Sequence, residues 1–385
     1  MKISANVYGV NYPPITEVKQ WICGREFSAE QPLVDLCQAI PDYQPAQSML
    51  DYLRSQLDDP SLAVYSPDEG LPEVRRTLSD WYARRYGTGP SADQICMTIG
   101  ASQAFWLAML TLCQAGDEVI VQLPAYFDHP MGLQALGIIP RYVPFLADAA
   151  VPDPAQIAAA INQRTKAILL VSPSNPTGTV LPADLIDEIY QLAKKHDIAL
   201  VLDETYNAFL PVGRRAHNLF SQTDWGEHFV HIASFGKTFA LTGYRAGALV
   251  ASADFIYHAL KLQDSMVVCQ PRITQRAIAY GCAHLDSWVD DNANMMQQRH
   301  DLFCSLFKVP ANPFTLVASG AFFAWVRHPW AELTGRQVAR KLADERNIIC
   351  LPGEVFGPGL ERYLRLAFGN VRLENIAQAV ARFSS

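Results

Sequence analysis

The chain has 385 residues, half of them hydrophobic, enough to bury a large core and to divide into about two domains. Its 31 basic and 38 acidic residues give a net charge of −7 with no basic block, which argues against a nucleic-acid or anionic-membrane surface and for a small-molecule partner. The opening Met1-Lys-Ile-Ser-Ala-Asn-Val-Tyr8 has no apolar leader core, and no run approaches the roughly eighteen apolar residues of a membrane helix, so a soluble, cytoplasmic protein is expected.

Residues 1–45 read as an arm that belongs with a smaller domain, because Pro13, Pro14, Pro32, Pro41 and Pro45 break any long element. From Ala46 the apolar positions recur at three and four, through Ser48-Met-Leu-Asp-Tyr-Leu53 and Leu71 to Ala83, and predict helices. A large domain is expected over 46–280. In it the short apolar runs Gln94–Ile99, Glu118–Gln122, Ala167–Val171, Ala199–Leu202, Val230–Ser234 and Ala248–Ala251 alternate with helical stretches at Ala101–Gln114, Asp153–Asn162 and Pro182–His196. Continuously apolar runs separated by helices predict an α/β fold with a mostly parallel sheet. Residues 281–385 change rhythm: a long helix from Asp286 to Phe307, the runs Ala321–Val326 and Leu364–Phe368, and a last helix from Leu373 predict a smaller α+β domain. The eight cysteines, at 23, 37, 96, 113, 269, 282, 304 and 350, form no C-x-x-C pair and no metal-like spacing with histidine. They are read as reduced and mostly core, with no metal site.

Ligands of such sheets gather at the carboxyl ends of the strands. Gly100-Ala-Ser102, Pro124-Ala-Tyr126, Ser174-Asn175, Asp203 to Tyr206 and Ser234 to Lys237 should therefore converge. Lys237 follows an apolar run. Desolvated in a pocket, it loses its proton and serves as a nucleophile or Schiff-base former; at the rim of the core, it keeps its charge in water. Asp203 ends a buried strand, where an unpaired carboxylate is expensive, so a cation must sit beside it: a protonated ring nitrogen, or an Arg or Lys. Tyr206 either reaches a ring hydroxyl or packs as core. The backbone at Ala101 and the Ser102 hydroxyl hold a phosphate at a helix N-terminus, or Ser102 merely caps the helix. Asn175, in Ser172-Pro-Ser-Asn-Pro-Thr-Gly178, offers a free amide or closes an Asx-turn. Arg245, between Gly243 and Gly247, suits bidentate phosphate binding or a surface salt bridge. The set is coherent for an aromatic nitrogen ring that carries an aldehyde and a phosphate.

Ser234-x-x-Lys237 followed by Gly243-Tyr-Arg-x-Gly247, with Asn175-Pro-x-Gly178 and Asp203-Glu-x-Tyr206 upstream, resembles the class I/II aminotransferases, fold-type I enzymes dependent on pyridoxal 5′-phosphate. The likeness runs in order from about Leu33 to Phe368. It implies a seven-stranded, mostly parallel sheet flanked by helices, with the small domain built from the arm and the C-terminal third. It also implies that Lys237 forms the internal aldimine and moves the substrate proton, that Asp203 pairs with the pyridine nitrogen, and that Asn175 and Tyr206 hold the ring hydroxyl. Ala101, Ser102, Ser234 and Arg245 would grip the phosphate, Tyr126 would stack on the ring, and Arg365 would bind the substrate α-carboxylate. Tyr65 would reach the phosphate of a neighbouring subunit, which implies a homodimer with shared sites.

Two positions depart from the commoner pattern. Gln38-Ala39-Ile40-Pro41-Asp42 lacks a frequent glycine, and His129 replaces a frequent tyrosine; both are read as lying on the substrate side, Ala39 as a substrate contact, and neither as touching the cofactor core. The expected reaction moves an amino group from an L-amino acid to a 2-oxo acid by a ping-pong mechanism. A lyase or synthase, such as a carbon–sulfur lyase, would use the same aldimine. A cofactor-sensing transcription regulator would want a basic DNA face, which the acidic chain lacks. The donor and acceptor are left open, with Arg272 one candidate for a second carboxylate-binding cation.

Overall fold

The structure, a computed structural model, describes residues 1–146 and 150–384. Its centre is a seven-stranded sheet of β1 (Ile95–Ile99), β2 (Glu118–Gln122), β3 (Ile139–Val143), β4 (Thr165–Val171), β5 (Ala199–Asp203), β6 (Phe229–Ser234) and β7 (Ala246–Val250). The strand order is β1-β7-β6-β5-β4-β2-β3, and β7 alone runs antiparallel to its neighbours. The six runs read from sequence are six of these strands. The seventh, Ile139-Pro-Arg-Tyr-Val143, gives no continuous apolar signal because it lies at the sheet edge, alternates in exposure and carries a proline that only an edge tolerates.

Among the helices, α1 (Pro14–Trp21) lies within the arm, α2 (Gly100–Leu112) follows β1, α3 (Asp128–Ala135) follows β2, and α4 (Ala183–Lys195) crosses from β4 to β5. The helix α2 buries Ala104, Phe105, Leu107, Ala108 and Met109, because it packs on the sheet and is itself covered by the helix Ala253–Val267. Its start is held close to β7: a Cβ on Gly247 would stand 2.4 Å from the carbonyl carbon of Gly100, a contact that only glycine allows.

The C-terminal part carries a second, antiparallel sheet of β8 (Thr315–Gly320), β9 (Phe323–Arg327), β10 (Leu351–Pro352) and β11 (Tyr363–Ala367), in the order β8-β9-β11-β10. The helix α5 (Asp286–Phe307) spans the residues expected of it, and the last helix covers Ile376–Ser384. The arm is tied to this part: Val34–Asp35 pairs in parallel with Ile348–Ile349, and Leu36 O accepts from Ala367 N at 2.9 Å. The two sheets meet where Gly178, after β4, lies against Gly320 of β8 so closely that a Cβ on either would enter the other's backbone. These ties bring the segment Cys37–Ile40 and strand β11 to the carboxyl end of the large sheet. All eight cysteines are free; Cys23 is exposed, Cys113 and Cys269 are half-buried and the others are buried. No helix among the described residues is long and apolar enough to cross a membrane.

Candidate active site

A cavity of about 520 Å³ opens at the carboxyl ends of β1, β4, β5 and β6. The expected catalytic, cofactor and substrate residues line it, with the exception of Tyr65 and Arg272. Tyr65 is 75% exposed on a surface loop, where its carbonyl accepts from Arg272, and Arg272 is likewise outside the cavity lining.

Lys237 lies on the single turn Phe235–Thr238 into which β6 runs, so the strand delivers its amine straight into the cavity. Nζ donates to Ala39 O at 2.7 Å and pairs with no carboxylate among the described residues. Burial, reinforced by the Arg245 and Arg365 guanidiniums, lowers its pKa to about 8. Near pH 7 roughly a tenth of the amine is thus already neutral, far more than for an ordinary lysine, and the neutral form is the one a nucleophile or base requires.

Asp203 closes β5, all five residues of which are buried. Its Oδ1 accepts from the Thr205 amide at 2.9 Å, and Oδ2 lies 3.1 Å from His129 Nε2. Burial pushes this carboxyl up, but the His129 and Thr205 contacts outweigh it and hold the group below the usual carboxylate range. The sequence reading of His129 is corrected here: it does touch the core of the site. The first turn of α3 carries the imidazole back over the end of β5, between the rings of Phe105 at 4.5 Å and Tyr126 at 5.1 Å. The signal in the sequence is the buried Asp203 itself, whose carboxylate needs a nearby donor, and a histidine can supply one as well as an Arg, a Lys or a ligand ring.

Asn175 and Tyr206 are both buried, with Asn175 Nδ2 3.5 Å from the Tyr206 hydroxyl. Arg365, on β11, is fully buried between the rings of Phe323 and Phe356. It donates to Asn175 Oδ1 at 3.2 Å and to Cys37 O, its Nε has no partner, and no carboxylate answers its charge among the described residues. A buried guanidinium without an acid is costly unless a ligand anion completes it.

At the other end of the cavity, the first turn of α2 presents Ala101 and the exposed Ser102, joined by Ser234 and Arg245. Ser102 does not cap the helix; the N-cap position is Ile99, whose amide is bound by Gln103 Oε1 at 2.6 Å. Arg245 makes no salt bridge among the described residues. It sits in the left-handed region at φ 56°, with NH1 on Thr242 O at 3.1 Å and its guanidinium against Gly100, where a Cβ would come within 2.6 Å of NH2. A helix N-terminus, two hydroxyls and a guanidinium with no ion pair among the described residues could together hold a phosphate. Tyr126 lines the wall between the two ends, its hydroxyl donating to Asp128 Oδ2.

Behind Asp203, on the far side of its strand end, Glu204, His217 and His231 form a fully buried cluster. Two of its contacts, Nε2 of His217 and Nδ1 of His231, lie 3.4 and 3.5 Å from Glu204 Oε2, and the Tyr86 hydroxyl donates to the same oxygen at 2.6 Å. The spacing suits a metal ion, but the tautomer does not. Leu219 N donates to His217 Nδ1 at 3.1 Å, so Nδ1 is the acceptor nitrogen, and Nε2, the one that faces Glu204, carries a proton where an ion would need a lone pair.

A family model described as aminotransferase class I and II matches residues 31–383. The aromatic aminotransferase ISS1 of Arabidopsis thaliana is 28% identical over 99% of this chain and 95% of its own length, and an aspartate aminotransferase of Pyrococcus abyssi is 27% identical over 89% and 88%. A solved structure of an aspartate aminotransferase from Thermus thermophilus, with maleate, superposes with a TM-score of 0.91 at 26% identity, covering 100% of this chain and 99% of that one.

Proposed function

The chain belongs to the class I and II aminotransferases, with pyridoxal 5′-phosphate as its cofactor and amino and 2-oxo acids as its substrates, and on that premise we propose how its own residues divide the work. The cavity suits the cofactor: the cradle at Ala101, Ser102, Ser234 and Arg245 offers donors to a phosphate, and the Asp203 carboxylate, kept ionised in a buried position, offers a counter-charge to a protonated ring nitrogen. Bound there, the cofactor supplies the electron sink that eases loss of the Cα proton.

Arg365 holds the α-carboxylate of each substrate in turn, which leaves the Cα facing the Lys237 amine. Lys237 would hold the cofactor through its amine, and the same amine, its pKa lowered to about 8, would be the base placed to take and return the substrate proton at Cα. Asp203 stays charged through the cycle because His129 and Thr205 hold it, and Asn175 and Tyr206 fix the ring hydroxyl edge. Ala39 meets the Lys237 amine through its carbonyl and borders the substrate.

The observation that carries this reading is the acid-free, fully buried guanidinium of Arg365 on the same cavity as the Lys237 amine. An amino acid given alone should yield one equivalent of 2-oxo acid per site, no ammonia, and no second turnover until a 2-oxo acid is added. Continuous ammonia release would instead identify the lyase.

The same reading extends to a homodimer, since Tyr65 stands outside its own chain's cavity, exposed beside the exposed Val64. It extends also to a division into a large body over 46–280 and a small one from 1–45 and 281–385, supported by the pairing of Val34–Asp35 with Ile348–Ile349. Eight free thiols suit a reducing compartment, which supports a cytoplasmic location.

A further inference from the structure

We propose that the amino donor is an L-amino acid with a large apolar side chain, taken in preference to a dicarboxylic one; this rests on the aminotransferase reading and concerns the wall that this chain gives the substrate side chain. The position of that wall follows from two hydrogen bonds. Lys237 Nζ is fixed to Ala39 O and Arg365 to Cys37 O, so the segment 37–40 borders the space between amine and guanidinium. A substrate bound by its carboxylate to Arg365, with Cα toward Lys237, directs its side chain along this segment.

There the cavity is closed by Val10, Ile15, Ile40, Trp106, Phe127 and Met131. The arm is seated on this wall, since Val18 of α1 is buried in one apolar cluster with Cys37 and Phe127. Its helix does carry a cation, Lys19, but that side chain is exposed, is bound to Gln38 Oε1 and does not line the cavity. The three Lys and Arg side chains that do line it are Lys237, Arg245 and Arg365, each already assigned to the reacting amine, the phosphate cradle or the α-carboxylate. One further lining residue, Asp128, is itself an acid. Against the wall this chain supplies, a second substrate carboxylate would therefore lose its water without gaining a counter-charge, whereas an aromatic or branched side chain would be desolvated at a gain.

The test uses the holoenzyme and the donor half-reaction alone, so that the choice of acceptor does not enter. Phenylalanine, leucine and methionine are each expected to react at least about 100-fold faster than aspartate or glutamate at equal sub-saturating concentration. A ratio below about ten overturns the proposal while leaving the aminotransferase reading intact. Silence from every donor would sink that reading and this proposal with it. Calorimetry gives a readout independent of turnover: 3-phenylpropionate should bind the holoenzyme at least about tenfold more tightly than succinate, and tighter succinate binding would count against the apolar wall. Ile15 is half-buried on the arm, where a substitution spares the main core. Ile15→Ser should narrow the ratio of phenylalanine to alanine rates by about tenfold, and an unchanged ratio would remove the arm from the pocket.

Discussion

Replacing His129 by phenylalanine tests whether Asp203 owes its charge to a neighbour. The imidazole packs against Phe105 at a tilt of 30° and edge-on to Tyr126, so a phenyl ring keeps most of this packing and deletes only the donor 3.1 Å from Asp203 Oδ2. A hydrogen bond to a charged group contributes about 1.5–3 kcal/mol, which corresponds to a roughly 10- to 150-fold fall in kcat if the bond matters only while Asp203 is ionised. With its largest opposing contact gone, desolvation dominates and the carboxyl pKa rises. The sign follows: wild-type Asp203 is held below the usual range and stays charged at working pH, whereas the variant should lose activity as pH falls through the raised value. Single-turnover rates with a good donor between about pH 5 and 9, alongside a thermal melt, measure both effects. A His129→Phe enzyme with kcat within twofold of wild type and no new acid limb would refute the reasoning.

Arg365→Ala should raise KM for amino-acid and 2-oxo-acid substrates alike and lower kcat/KM at least about 30-fold, from the 2 kcal/mol or more that such a buried charge contact contributes; unchanged constants for either substrate would remove the clamp. Gly247→Ala drives a Cβ into the Gly100 backbone, which cannot yield, so a loss of about 1–3 kcal/mol and a lower melting temperature are expected, together with weaker cofactor retention. Burial holds His231 to a pKa of about 4, so between pH 6.5 and 4 the unfolded chain binds a proton that the folded chain refuses, and stability falls with pH. Going from pH 7 to 5 should cost about 2 kcal/mol through this residue, and His231→Phe should flatten that part of the urea-midpoint profile. A profile as steep as wild type would place the acid sensitivity elsewhere.

The convergence of the strand-end residues on one cavity is legible in the sequence because strand ends are fixed by local pattern: an apolar run such as Ala199–Leu202 or Val230–Ser234 announces both the strand and the residue delivered at its end. What could not be read depended on approach across the chain. His129 reaches Asp203 only through the direction in which α3 leaves Tyr126, and Cys37 and Ala39 enter the site through backbone carbonyls, which carry no residue signature. The edge strand Ile139–Val143 lacks the two-sided burial that marked the others. The prolines keep the elements of the arm short, and Pro14 occupies the first turn of the eight-residue α1, where its missing N–H costs nothing.

The central claim is that Lys237 is the residue that carries the cofactor. Borohydride reduction of the purified holoenzyme, followed by peptide mass spectrometry, should place the mass of the reduced phosphopyridoxyl group on the peptide that contains Lys237, and Lys237→Ala should show no such peptide and no transamination. The same mass on another lysine, or wild-type turnover by the Lys237→Ala protein, would contradict it.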